Sequence, residues 1–460
     1  MATDRKYEMN MSEGSILPKL LKFAIPLMLS SILQLMFNAA DVIVVGRFAG
    51  DNSLAAVGCT GSLVNLLINL FIGLSVGTNV MTARHYGAKQ KAELHNTVHT
   101  SIMIAIYGGI ILTIVGTVFT KGILELMGTP EPVLPLAALY LRIYFIGMLP
   151  NMLYNFGSAI LRAVGDTKRP MYYLMLAGIV NVVLNLLFVI VLKMDVAGVA
   201  LATIISQTIS ATLVIKCLIR SNSQIKLVIK ELKIDKRELK NIVRIGIPAG
   251  LQGCIFSLSN VVIQSSINSF GETVVSGSSA CSNLEGFVYV AMNSFHHAAL
   301  AFVSQNMGAG KYTRIRRIMM CAIICVTVTG IMLGQLELFF GENLLGIYTT
   351  SPDVISAGMA RMRIIDATYF LCGLMDVMVG ILRGIGYSVM PMIVSLLGAC
   401  GTRLLWIATV FQIEQYHRVE TVYISYTFSW LLTFATHFIC FLIVFRKAVP
   451  KEDAVRPGEI

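Results

Sequence analysis

Charge is scarce in this chain. Only 13% of its 460 residues are Asp, Glu, Lys or Arg, whereas 56% are hydrophobic, and the mean hydropathy is +0.74. A soluble domain of this length needs a more polar skin, so the composition excludes an ordinary water-soluble fold and points to lipid. Nine cysteines, at 59, 217, 254, 281, 321, 325, 372, 400 and 440, show no paired motif, and no disulfide framework is expected. Cys321 and Cys325 share a helix face but have no His or carboxylate neighbour to complete a metal site. There is no Gly-x-x-x-x-Gly-Lys-[Ser/Thr] segment, which argues against ATP as the energy source, and no cofactor is expected. The opening stretch, with Asp4, Arg5, Lys6, Glu8 and Glu13, lacks an apolar run with a small-residue cleavage site, so no removable signal peptide is expected.

What the chain has in abundance is long apolar runs. Crossing roughly 30 Å of hydrocarbon takes about 20 helical residues. Twelve such runs are predicted, at 20–45, 55–80, 97–120, 133–157, 170–192, 196–217, 243–268, 276–302, 317–340, 354–381, 388–411 and 420–445. The expected fold class is therefore all-α integral membrane, with twelve transmembrane helices. The expected layout is an amino-terminal segment at 1–19, a six-helix lobe at 20–220, a basic linker at 221–242, a second six-helix lobe at 243–446 and a tail at 447–460.

The net charge of +11 raises the question of nucleic acid, and the placement of the 36 Lys and Arg residues answers it. Twenty-eight of them lie in the amino terminus, the even-to-odd connections and the tail, counted with the adjoining span ends. The opposite connections hold only Arg47, Lys121, Lys193 and Arg418. This bias predicts cytoplasmic termini in an inner (plasma) membrane, with lipid and not nucleic acid as the macroscopic partner. The mixed run Lys230 to Lys240 reads as a solvated linker, or as an amphipathic helix on the anionic leaflet.

The second half repeats the first at an offset of 221 or 222. Ile25-Pro26 recurs as Ile247-Pro248, Gly87-Ala88 as Gly308-Ala309, and Arg142-Ile143 as Arg363-Ile364. Leu161-Arg162-x-x-Gly165 recurs as Leu382-Arg383-x-x-Gly386, and Pro170-Met171 as Pro391-Met392. Six spans per repeat return the chain to the side where it began, so the halves are parallel repeats, as in many transporters. Pro26 and Pro248 interrupt the first helix of each half and are hinge candidates, with a static kink as the plainer alternative.

Four segments carry a further likeness: Phe37-Asn-Ala-Ala-Asp41, His85-Tyr-Gly-Ala88, Leu161 to Pro170, and Gln305-Asn-Met-Gly-Ala309. Together they resemble the multidrug and toxic compound extrusion (MATE) family over nearly the whole chain. The resemblance implies the MOP-type fold, two lobes facing a V-shaped cavity, and export of cationic amphiphiles against sodium or proton entry.

An ionised carboxylate at mid-membrane costs about 2.5 to 3.5 kcal/mol on insertion scales, so each one needs a reason. The candidates are Asp41, Glu285, Asp366 and Asp376, with Glu337 near a helix end. Asp41 lies roughly 9 Å below the outer end of its span at 1.5 Å per residue, and Asn185 and Thr203 lie roughly 12 Å down theirs. Asn181 sits one turn from Asn185. One carboxylate, two amides and a hydroxyl thus share a level, a set suited to a small cation or to a proton. By the resemblance, Asp41, Asn181, Asn185 and Thr203 match the family's amino-lobe cation site, although some members carry Asp where this chain has Asn185. In the second lobe Glu285, Asp376 and Arg403 are candidates, Arg403 as an ion-pair partner for either acid. Some sodium-coupled members carry Glu eight residues after the proline of the seventh helix, where this chain has Phe256. His296-His297 suits packing better than a metal, because adjacent helical residues diverge by about 100°.

The expectation is a secondary active exporter and not an enzyme. It would work as a monomer, moving cationic or amphiphilic drugs or metabolites outward against Na+ or H+. A lipid-linked-glycan flippase and a membrane-embedded enzyme are the alternatives. The first needs a cleft lined with cations, the second a cluster of acid, base and nucleophile, and neither pattern stands out.

Overall fold

The computed structural model describes residues 7–448, apart from the side chains of Asp51, Leu54, Cys59, Ser62, Leu63, Asn65, Leu66 and Ala448. The first six residues and residues 449–460 of the expected tail lie outside the described residues. Helix dominates throughout, and the described residues contain no strand. The first half holds α1 (Ile16–Phe48), α2 (Asp51–Gly87), α3 (Lys91–Leu126), α4 (Leu134–Ile146), α5 (Met148–Ala163), α6 (Lys168–Asn185) and α7 (Asp195–Arg220). The second holds α8 (Lys236–Asn268), α9 (Glu272–Gly308), α10 (Tyr312–Phe339), a short α11 (Gly341–Gly346), α12 (Pro352–Thr368), α13 (Phe370–Ile385), α14 (Val389–Ser395), α15 (Thr402–Ala408) and α16 (Val419–Ala448).

Among the described residues, eight helical stretches are long and apolar enough to cross a membrane, and ten when each of two bent pairs counts once. The rods α2 and α9, of 37 residues each, are the less apolar remainder. Each of the expected spans falls on one helix or on consecutive helical pieces. The fourth span of either half is broken: α4 and α5 meet at 48° around Gly147, α12 and α13 at 44° around Tyr369. The fifth is loosened, since α6 runs into a π-helical turn at Leu186–Val191 and α14 into another at Leu396–Gly401. Such turns often mark functional segments of a helix.

The repeated Leu-Arg-x-x-Gly element has a local physical cause. Gly165 and Gly386 both have positive φ, +87° and +114°, where L side chains are strained. Beyond them, the amides of Asp166 and Tyr387 return to the carbonyls of Leu161 and Leu382, each at 3.0 Å. The motif is therefore a helix stop of the Schellman kind, closing α5 and α13.

The chain divides into two compact units. One comprises the residues up to Asn10 together with Leu29–Gly250, the other Met11–Met28 together with the residues from Leu251 onward. The chain changes unit inside α1 and inside α8, two residues after Pro26 and Pro248 respectively.

In the first unit, α2 and the start of α8 cross through small residues on both sides. A Cβ on Gly73 would reach the Cα of Gly250 at 2.5 Å, and one on Gly246 the Cα of Leu74 at the same distance. Two Gly-x-x-x-Gly faces, Gly73/Gly77 and Gly246/Gly250, make this approach possible. In the second unit, the segment leading into α1 is held by the end of α9. Met11 N–H donates to Gln305 Oε1 at 2.6 Å, and Asn306 Nδ2 donates to Met11 O at 3.1 Å. The Gln-Asn-x-Gly-Ala element is thus a clamp on the entry to the first helix.

The basic connection departs from one reading of its charge run and adds to the other. It is not one amphipathic helix, and although its Lys and Arg side chains are exposed as a solvated linker requires, the segment is also docked on the first half. Ile225 and Leu227 are buried with Leu94, Val98, Ile102, Leu161 and Leu218. Lys230 to Lys240 divides into the end of a 3-10 turn (Ile229–Glu231), a non-helical stretch and the first turn of α8. Asp235 caps that turn, its Oδ1 accepting from the amides of Arg237 and Glu238 at 2.9 and 3.1 Å. Its own amide donates to Thr100 Oγ1, and Glu238 accepts from Thr97 and meets His85 Nε2 at 3.1 Å. Charge spacing alone does not reveal this docking, because the partners lie over a hundred residues away.

Candidate ion-coupling site

Asp41 stands on α1, Asn181 and Asn185 on α6, and Thr203 on α7, all in the first unit. α1 and α6 touch through Phe37 and Gly178, one turn below the polar residues on each helix. A Cβ at Gly178 would collide with the Phe37 ring, so only glycine lets α1 approach this closely. The approach brings Asn185 Nδ2 into hydrogen-bonding contact with Asp41 Oδ1, and the same amide donates to Asn181 Oδ1 at 3.3 Å. Asn185 is fully buried, and its Oδ1 has no hydrogen-bond partner among the described residues. A buried amide oxygen left unmatched costs free energy unless something donates to it or coordinates it.

The Thr203 hydroxyl donates to Val199 O on its own helix at 3.0 Å. Three residues of the sequence-predicted set are thus linked side chain to side chain. Sequence reasoning missed two neighbours. Tyr140 and Tyr144, on α4, lie within electrostatic reach of Asp41, and Tyr144 hydrogen-bonds to Gln207 of α7. Their rings stack with centroids 5.9 Å apart. Their i, i+4 spacing was the available signal, hidden among many aromatic residues.

The second unit resolves the pairing left open there. Glu285 of α9 pairs with Arg361 of α12 and not with Arg403, through Nε–Oε1 and Nη2–Oε2 contacts of 2.7 Å each. Arg361 Nη1 also donates to Ser278 Oγ at 2.9 Å. Both partners are 5% exposed, and this bidentate geometry is what makes such a pair tolerable in a dry interior. Arg403 instead donates to Ser429 Oγ at 2.8 Å and lies 4.1 Å from the Tyr426 ring centroid. Asp376 faces Tyr289 and Asn293 of α9, with Arg383 nearby. Asp366 is 1% exposed, and neither carboxylate oxygen has a hydrogen-bond partner among the described residues. His296 Nδ1 contacts Asp376 O at 2.6 Å and its ring stands at 89° to that of His297, so the two do not face a common point.

The family model described as MatE matches residues 26–187 and 248–407. The chain belongs to the MATE family. The two matched segments open on Pro26 and Pro248, as the internal repeat requires, and MATE members are membrane transporters and not enzymes. Among curated relatives, the "Probable multidrug resistance protein YoeA" of Bacillus subtilis is 27% identical over 446 residues, covering 95% of this chain and 96% of that one. "Multidrug export protein MepA" of Staphylococcus haemolyticus is 22% identical, covering 81% and 82%. The "FAD transporter" of Shewanella oneidensis is also 22% identical, covering 73% and 75%. The fold of a MOP superfamily transporter from Pyrococcus furiosus superposes with a TM-score of 0.90 at 21% identity, covering 95% and 98%.

Proposed function

We propose that this MATE transporter is a secondary active multidrug exporter, moving cationic or amphiphilic small molecules out of the cell against inward Na+ or H+. The observation that carries the reading is Asp41, a carboxylate on a membrane-spanning helix, bound to a buried Asn185 whose own oxygen is unmatched. Such a group changes charge when it takes up a proton. Together with the free Asn185 oxygen it also offers hard ligands to a small cation. The names of YoeA and MepA support a drug-like cargo. Alternating access requires cation and cargo to favour different conformations, since a ligand that binds both equally shifts nothing. Cation capture at Asp41 moves α1 against α6, with Pro26 as the bending point, and weakens cargo binding. Pro248 plays the corresponding part in α8. Of the second-lobe candidates Glu285, Asp376 and Arg403, Glu285 is committed to Arg361 and Arg403 to Ser429, which leaves Asp376 as the acid able to change charge there. The basic connections and both termini face the cytoplasm, and the chain works as a monomer in the inner membrane.

A flippase fits less well. Arg361 is engaged by Glu285 and Arg403 by Ser429, while Arg142 and Arg363 are exposed on their helices. These pairings take two of the four span arginines out of any cradle for a phosphate. The deciding experiment is dye efflux from proteoliposomes under separately imposed sodium and proton gradients. Efflux driven by one gradient and abolished by Asp41→Asn is the expected result, and indifference to both gradients would remove the proposal.

A further inference from the structure

His95, His99 and Glu231 take no part in the coupling site, yet they converge where the inter-half connection docks on α3. One potential ligand atom from each lies within 4.8 Å of the other two. We infer that they form a binding site for a divalent transition cation, which fastens the connection to α3.

Each component of such a site is in place. The histidines sit at i, i+4 at the start of α3, and their rings stack with centroids 3.9 Å apart and planes at 32°. Residues at this spacing project on the same side of a helix, so both rings face the connection. His95 Nε2 lies 2.9 Å from Glu231 Oε2, on the 3-10 turn Ile229–Glu231. His99 Nδ1 lies 2.7 Å from His95 O, a carbonyl that only accepts, so Nδ1 carries the proton and Nε2 presents its lone pair. A ring N–H anchored on a backbone carbonyl is the outer support that histidine ligands of metals usually have. Nε2 accepts from Val228 N–H at 3.1 Å and also lies 3.2 Å from Val228 O, and a cation would replace the first contact and displace the second.

The donor set decides the class of ion. Two imidazoles and one carboxylate suit Zn2+, Co2+ or Ni2+, whereas Mg2+ and Ca2+ prefer oxygen ligands throughout. His99 is buried and Glu231 exposed, so the site opens to water on the Glu231 side, where solvent can complete the coordination shell. Glu231 is held in reach by the buried Ile225 and Leu227 before it and by the Asp235–Thr100 bond after it. None of this depends on which cargo or coupling ion the transporter uses.

The test uses tag-free, full-length protein in detergent, stripped with chelator and titrated with Co2+. One saturable equivalent is expected, with visible d–d absorption, displaced by Zn2+ and unaffected by excess Mg2+. His95→Ala and Glu231→Gln should each abolish that binding; neither side chain is buried, so both variants should keep the parent's helix content and monodispersity. In the parent, Zn2+ should also slow tryptic cleavage at Lys230 and Lys233, and it should not do so in the variants. Absence of saturable Co2+ binding in the parent, or binding that persists in both variants, would overturn the inference.

Discussion

At the scale of single residues, Asp41 and Asn185 are joined by a hydrogen bond that defines a measurable unit. Asp41→Asn keeps the shape of the side chain but removes its change of charge. It should abolish gradient-driven efflux while substrate binding and expression remain. Asn181→Ala and Asn185→Ala should each reduce coupled efflux, and adding either to Asp41→Asn should cost little more; additive losses in that double-mutant cycle would separate the residues. Thr203→Val should be the mildest of the set, because the hydroxyl is satisfied within its own helix. In the second unit, Arg361→Met leaves the Glu285 carboxylate buried without its cation. Removing one member of such a pair typically costs about 3 to 5 kcal/mol, so the variant should melt well below the parent, and Glu285→Gln on top of it should recover part of the loss.

At the scale of elements, the contact of Phe37 with Gly178 sets the separation of α1 and α6. Gly178→Ala should push the helices apart and uncouple Asp41 from Asn185, lowering efflux at unchanged membrane insertion; pairing it with Phe37→Leu should restore part of the activity. Parent-like efflux in Gly178→Ala would show that the helix spacing is not critical. Much at this scale was legible in the sequence: the apolar runs fall on helices because length and hydropathy decide membrane crossing, and the meeting of Asp41 with Asn185 followed from counting residues along rods of known rise. What was not legible depends on rotation about those rods. Glu285 and Arg361 are 76 residues apart, and nothing in their spacing says that α9 and α12 turn these faces together. The docked connection was missed for a related reason, since a charge run looks the same whether its acids meet water or meet Thr97, His85 and Thr100 across the fold.

At the scale of the molecule, the asymmetry of basic residues predicts that a label at exposed Lys233 is accessible only from the cytoplasmic side; labelling from outside would invert the orientation proposed above. The division into two units has a consequence of its own. The end of α9 holds Met11 at the entry to α1, while the end of α2, through His85, holds Glu238 at the entry to α8. His85 and Asn306 are equivalent positions at the repeat offset of 221, so each half keeps custody of the opening turns of the other half's first helix. The two repeats thus exchange the opening turns of their first helices, as the protomers of a domain-swapped pair do. A gene cut within the inter-half connection should therefore yield two fragments that are proteolysed when made alone and stable when made together, each lacking helical turns that only the other can supply.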